Sequence, residues 1–394
     1  MTPFWRSRIT AAVGVGLVAL ALSACGPKGE ATTRAVHLDS GGTVEARVVL
    51  YNGLDQGLAE EVHAQMASII AFFDARFGVS VPGVAVYLTD NRNTLEDVFL
   101  DVTGFRMARS DCLAARGGTI FLVEDRCRVD GLLVLDHEYF HLLQIHLAGF
   151  GENTEGFRRA TGPIWLLEGM ADYAEAVYRA EVGLRTYQEL RDENAFSVTS
   201  WAGRLEATGD RIFVEGYVLG FLAVDLLVQR AGEGALLDYY RSVSTGLSWK
   251  DAFSDVFGIG VDAFYEEFEL HRAENRPPFH TISGSVVGPR GDGLRRIALV
   301  VVSSDGAQSS YSLSVADGGF VIAVPAEGWY TISINPPPTT ACTMIGWYEE
   351  DTGFTASRRG ATYVEVRGGD VEGIAVRLPD AWWELEPIEH CAEE

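Results

Sequence analysis

The chain has 394 residues, with 55 Asp and Glu against 31 Lys and Arg and a formal net charge of −24. An acid excess on that scale repels nucleic acid and anionic headgroups, so neither is expected as a partner, and the length points to two or three domains. The sequence contains no Gly-rich phosphate loop and no Gly-x-Ser-x-Gly nucleophile elbow, which argues against nucleotide chemistry and against a serine hydrolase of that type.

At the start, Arg6 and Arg8 precede an apolar run from Ile9 to Leu22 that closes on Leu22-Ser-Ala-Cys25 and a glycine. The run has the length of a secretory h-region and is too short to span a bilayer comfortably. Its Leu-Ser-Ala-Cys ending resembles the bacterial lipobox. That resemblance implies removal of residues 1–24 and lipidation of Cys25, which would hold the protein at a membrane surface through acyl chains alone. A plain signal peptide cleaved nearby is the alternative. The glycine after Cys25 lacks the aspartate that the same resemblance associates with inner-membrane retention, so an outer membrane is expected in a Gram-negative cell. Either way the chain is expected to be exported to the cell envelope, with residues 25–42 as a linker. Once Cys25 is lipidated, Cys112, Cys127, Cys342 and Cys391 remain. An even count in an exported protein suggests two disulfides, and domain grouping suggests Cys112 with Cys127 and Cys342 with Cys391, one of three possible connectivities.

Residues 43–125 alternate strand-like runs (Val44 to Tyr51, Val84 to Leu88, Thr119 to Val123) with a helix-like segment from Glu60 to Phe77, the pattern of an α+β lobe. From Leu132 to about Arg272 the periodic segments are helical, including Tyr217 to Gln229 and Val261 to Glu274. A cleft between the two lobes is expected, within one domain spanning 43–275.

The run His137-Glu-Tyr-Phe-His141 lies where the helical lobe begins. Two histidines four apart on a helix project onto one face at a spacing that one zinc ion bridges, and Glu138 stands beside them to activate water. A histidine on an otherwise apolar helix is more often a satisfied core residue, so the pattern needs support. With twenty-six residues between it and His141, Glu168 sits in Pro163-Ile-Trp-Leu-Leu-Glu-Gly-Met-Ala-Asp-Tyr-Ala-Glu175, an amphipathic segment opened by proline. A structural zinc site closes on a fourth protein ligand, whereas a hydrolytic one takes three and leaves a position for water. Glu168 is the natural third ligand. Asp172, one helical turn on, is placed to accept the N–H of a liganded imidazole, with His137 as the suggested partner.

HEYFH followed by WLLEGMADY resembles the gluzincin metallopeptidases, in their thermolysin and aminopeptidase N branches. The resemblance implies His137, His141 and Glu168 as zinc ligands, Glu138 as general base and Asp172 behind the ligands. Those branches carry about eighteen or nineteen residues between second histidine and glutamate. This chain inserts more, including Gly149-Phe-Gly-Glu-Asn-Thr-Glu-Gly156. Gluzincins stabilise the tetrahedral oxyanion with a tyrosine or histidine from a later helix, which makes Tyr217 the candidate here; a packing tyrosine with a satisfied hydroxyl is the alternative. The same layout places an edge strand before the zinc helix to pair with substrate backbone. Arg116 to Val123 is the segment for that role, unless it is an ordinary buried strand. His146 lies five residues past His141 and is rotated off the zinc face, and His37, His63, His271, His280 and His390 lack ligand spacing.

At Arg276-Pro-Pro278 the helical pattern stops. Short alternating runs follow: Ile282 to Val287, Ile297 to Ser303, Ser310 to Val315, Gly319 to Val324 and Trp329 to Ile334. They predict a β-sandwich over 280–394. Ile282-Ser-Gly-Ser-Val-Val, Asp317-Gly-Gly-Phe-Val-Ile and Gly328-Trp-Tyr-Thr-Ile resemble the carboxypeptidase regulatory-like domain, which implies an accessory module without chemistry.

The expected fold is α+β: a thermolysin-like metallopeptidase with a mixed α/β N-terminal lobe and a helical lobe, then a C-terminal β-sandwich. The expected function is zinc-dependent hydrolysis of peptides or proteins. Two other classes stay in view, a catalytically degenerate peptidase-fold lipoprotein serving binding or assembly, and a surface adhesion or carbohydrate-binding module built on the sandwich.

Overall fold

The computed structural model describes residues 29–106, 112–115, 118–129, 131–150, 154–197, 204–208, 214–275, 279–306, 309–335, 343–380, 382 and 388–389. The leader, Cys25, Cys342 and Cys391 lie outside them. The polar run Glu30–His37 forms strand β1, which pairs antiparallel with β2 (Thr43–Leu50) along its whole length. The expected linker of residues 25–42 is therefore corrected: from Glu30 onward it is a sheet edge, unreadable as a strand because β1 buries little beyond Val36.

Helix α1 (Gln56–Phe77) starts where the Asp55 carboxylate accepts the Gly57 N–H and ends on Gly78 in the left-handed region. Strand β3 (Gly83–Thr89), helix α2 (Arg92–Thr103), strand β4 (Cys112–Ala115) and strand β5 (Thr119–Val123) complete the lobe. The sheet order is β1-β2-β3-β5-β4, with β3 parallel to β2, β5 parallel to β3, and β4 antiparallel to β5 at the end. All five residues of β5 are buried, as an unbroken apolar run requires when both faces of a strand are covered. The segment expected to be the edge is thus interior, and β4 is the terminal strand.

A small hairpin of β6 (Arg128–Val129) and β7 (Leu132–Leu133) leads into α3 (Leu135–Leu147), α4 (Thr154–Ala160), α5 (Ile164–Glu181), α6 (Tyr187–Ser197), α7 (Val214–Ala231), α8 (Gly234–Ser244), α9 (Trp249–Phe257) and α10 (Val261–Glu274). Of the Gly-rich insertion, the residues from Thr154 onward belong to helix α4. Sheet and helices share one apolar core, in which Phe73 of α1 packs on Tyr139 and Phe140 of α3.

The C-terminal unit is all β: β8 (His280–Val287), β9 (Ala298–Ser303), β10 (Ser309–Leu313), β11 (Gly319–Val324), β12 (Gly328–Asn335), β13 (Thr343–Met344), β14 (Gly346–Trp347), β15 (Val364–Val366), β16 (Val371–Arg377) and β17 (Ile388–Glu389). One sheet runs β10-β9-β12-β14 with β15 also on β12, and another runs β11-β8-β16. Their inward residues, including Ile282, Leu299, Ile322, Ile332 and Val376, form a second core separate from the first. Gly284 in β8 lies so close to β16 that a Cβ would overlap the Ile374 carbonyl, which explains the glycine in Ile282-Ser-Gly-Ser. Among the described residues no helix is long and apolar enough to cross a membrane.

Candidate metal centre

Helix α3 is buried on nearly every side, through Leu135, Tyr139, Phe140, Leu142, Leu143 and Ile145. His137 and His141 occupy its remaining face, each with a side chain 12% exposed. Helix α5 brings Glu168 to the same point. The three donor atoms form a small triangle: His137 Nε2 to His141 Nε2 is 3.1 Å, His141 Nε2 to Glu168 Oε2 is 3.1 Å, and His137 Nε2 to Glu168 Oε2 is 3.4 Å. Ligand atoms set tetrahedrally at 2.0–2.1 Å around zinc stand about 3.3–3.4 Å apart. Two imidazoles and one carboxylate at that separation fit zinc in type, number and span, with one position left over.

Both rings are oriented from behind. His137 Nδ1 lies 3.0 Å from Asp172 Oδ1, the partner expected from sequence, and 3.2 Å from Glu175 Oε2. His141 Nδ1 donates to Gln144 Oε1 at 2.7 Å, and the Gln144 amide donates to the Leu167 carbonyl at 2.9 Å. Gln144 thereby ties the second histidine to the residue preceding Glu168. Glu175 in turn meets Arg179 Nη2 at 2.9 Å, and Arg179 Nε meets Asp136 Oδ2 at 3.1 Å.

The electrostatics call for a cation. Burial alone would push both imidazoles down, yet they stand above the usual imidazole range: His137, well above it, through its hydrogen bonds to Asp172, Glu168 and Glu175, and His141 through the charge of Glu168. Burial would raise Glu168, but the two imidazoles, His141 foremost, hold it well below the usual carboxylate range. Asp136 and Glu175 meet the guanidinium of Arg179, while Glu168, Asp172 and Glu175 all meet the ring of His137. Carboxylates packed this way need compensating charge, which a dication held by His137, His141 and Glu168 would supply without protonating the rings.

Glu138 is buried and its charge acts on both His141 and Tyr217. Tyr217 comes from α7, its ring centroid 6.3 Å from that of His137. Burial first and the charge of Glu168 second push its hydroxyl up, so it stays a proton donor. The placement depends on two glycines where α5 and α7 cross: a Cβ on Gly169 would overlap the Gly220 backbone, and one on Gly220 would overlap the Trp165 carbonyl. Gly169 follows Glu168 and Gly220 lies one turn beyond Tyr217, so the close crossing holds both at the site. A cavity of about 190 Å³ is lined by Asp172, Glu175, Arg179, Asn194 and Tyr217 among others.

The structure thus brings together His137, Glu138, His141, Glu168, Asp172 and Tyr217, and leaves His146 exposed off the site face. Cys127 is buried and disulfide-bonded. The Cys112 side chain, like Cys342 and Cys391, lies outside the described residues, so the expected pairings are not tested. Sequence reasoning missed Gln144, Glu175, Arg179 and Asp136. The signal for two of them was periodic, because Glu168, Asp172, Glu175 and Arg179 follow one another at intervals of four, three and four along one face of α5.

No protein-family model matches the chain, and no curated protein does. Among solved structures it is similar to an M1 zinc metallopeptidase from Deinococcus radiodurans, at 20% identity over 64% of this chain and 53% of that one, with a TM-score of 0.43. It is also similar to an aminopeptidase N family protein from Idiomarina loihiensis, at 12% identity over 86% and 69% with a TM-score of 0.41, and to Legionella pneumophila aminopeptidase A, at 10% identity over 76% and 36% with a TM-score of 0.39. These neighbours are zinc metallopeptidases and aminopeptidases by name, at low identity. The chain spans about half the length of the Deinococcus protein it matches.

Proposed function

We propose that the chain is a zinc-dependent peptidase hydrolysing peptide bonds, with Zn²⁺ held by His137, His141 and Glu168 and with Glu138 as general base. The observation that carries this reading is the donor triangle of 3.1, 3.1 and 3.4 Å, with buried Glu138 next to His137 in the chain. Zinc, when bound, supplies a Lewis acid that polarises the scissile carbonyl and brings the pKa of water near neutrality. Glu138 takes the proton of the attacking water and delivers it to the leaving amine. The Tyr217 hydroxyl donates to the oxygen on which negative charge develops. Asp172 and Gln144 accept the two Nδ1 protons, which turns each Nε2 lone pair toward Glu168. The outer edge of β4, the terminal strand beside α3, is the strand to which substrate backbone adds.

The rest of the proposal concerns place. Cys25 is the lipidated first residue, and β1 begins at Glu30. Five extended residues reach about 17 Å, so the catalytic unit stands close to the bilayer, and its substrates are peptides or proteins of the cell envelope. Cys112 pairs with Cys127 and Cys342 with Cys391. The C-terminal β unit is an accessory sandwich of the carboxypeptidase regulatory kind.

Elemental analysis tests the centre on protein from residue 26 onward, purified without added metal. About one zinc per chain, absent from Glu168→Ala, is expected. Glu138→Gln should keep the metal and lose turnover of a peptide library by about 10²–10⁴-fold. Protein that takes up no zinc even on incubation with it would overturn the hydrolase reading.

A further inference from the structure

His137 carries a single proton on Nδ1, and two carboxylates converge on it, Asp172 at 3.0 Å and Glu175 at 3.2 Å. Asp172 alone suffices to fix the tautomer. Two carboxylates sharing one donor repel each other unless one is neutralised. The neutralising group is Arg179, which grips the other oxygen of Glu175 at 2.9 Å and reaches Asp136 at 3.1 Å. Arg179 is 2% exposed and Asp136 fully buried. Replacing such a buried pair by apolar packing is often neutral or stabilising, so stability does not account for it.

The contacts form a closed circuit. Asp136 and His137 are adjacent on α3, while Glu175 and Arg179 are one turn apart on α5, so the chain of contacts leaves α3 at Asp136 and returns at the ligand. We infer that Glu175, Arg179 and Asp136 are positioning residues for the metal centre, with Glu175 as second acceptor of the His137 Nδ1–H, Arg179 as its counter-charge and Asp136 as the buried anchor. The circuit makes the two histidines unequal ligands. His137 leans on two carboxylates and is the stronger donor, whereas His141 leans on the neutral amide of Gln144. It also clamps the helix carrying His137 and His141 to the helix carrying Glu168. The inference rests on the zinc reading of the same site and concerns residues outside the ligand set.

Glu175→Gln is the decisive variant, because it leaves Arg179 paired with Asp136 and the fold intact. A second variant, Glu175→Gln with Asp136→Asn and Arg179→Met, removes the whole charged group without stranding a buried ion. Three quantities are measured on each: zinc affinity by chelator competition, the visible absorption of the cobalt-substituted protein, and the melting temperature of the metal-free protein. Zinc binding weaker by on the order of tenfold, with shifted cobalt bands and an unchanged metal-free melting temperature in Glu175→Gln, is the expected result. Cobalt bands and zinc affinity equal to the parent's, with only metal-free stability reduced, would show a plain structural ion pair and overturn the relay. If the parent itself bound no metal, the zinc reading would fail and the relay with it, whereas a parent that binds beside indifferent variants sinks the relay alone.

Discussion

Gln144 joins His141 to the Glu168 segment through one amide: its oxygen receives the His141 proton and its nitrogen binds the carbonyl ahead of Glu168. Gln144→Ala strands a buried ring N–H and a buried carbonyl, which should lower stability by about 1–3 kcal/mol. It should also weaken zinc binding by roughly 10–100-fold, readable by urea unfolding and chelator competition respectively. Tyr217→Phe removes only a hydroxyl and should reduce kcat by about 10²–10³-fold with zinc content unchanged. Equal kcat in the two proteins would assign Tyr217 to packing. A third residue responds to pH. His63 is buried under β1, hydrogen-bonded to Thr32, with Arg34 across from it and Glu60 on its own helix. Burial first and Arg34 second hold it below the usual imidazole value of 6.5, against the pull of Glu60. The unfolded chain then takes up a proton near pH 6.5 that the folded chain refuses, so stability is full above that pH and falls below it. Melting temperatures from about pH 7.5 to about pH 5 should fall less steeply in His63→Gln than in the parent.

At the scale of elements, the crossing of α5 and α7 sets the site. Gly220→Ala pushes a methyl group into the Trp165 carbonyl, an overpacking that should cost about 1–3 kcal/mol. Because Tyr217 rides on α7 and the zinc ligands do not, turnover should fall further than zinc affinity; a proportionate loss of both would place the strain on α5. Helical periodicity made His137, His141, Glu168 and Asp172 legible in the sequence, since spacing alone puts them on shared faces. Gln144, Glu175 and Arg179 share those faces too, but a long polar side chain at the right spacing has many partners within reach, and only packing decides among them. Strand order was less legible still. The run Thr119–Val123 announced burial on both faces, which is the mark of an interior strand, and the edge fell to β4, four residues too short to show a period. Strand β1 hid for the opposite reason, an edge strand in polar residues.

At the scale of the whole molecule, two apolar cores form that share no residue among those described. The ligand helices α3 and α5 belong to the first core through Tyr139, Phe140, Leu166 and Leu167, and the C-terminal sheets belong to the second. Units with separate cores unfold separately, so calorimetry on the metal-free chain from residue 26 should resolve two transitions. On the proposed function, zinc binds only the folded form of the first unit. At a free concentration a hundredfold above its dissociation constant it adds about 2.7 kcal/mol to that unit and nothing to the other. For units of this size that is a rise of roughly 5–10 °C in one transition. The transition that moves therefore identifies the catalytic unit without any substrate. Both transitions rising together would mean that the β unit is folded onto the metal lobe and is more than an accessory, and in that case its removal should weaken zinc binding as well.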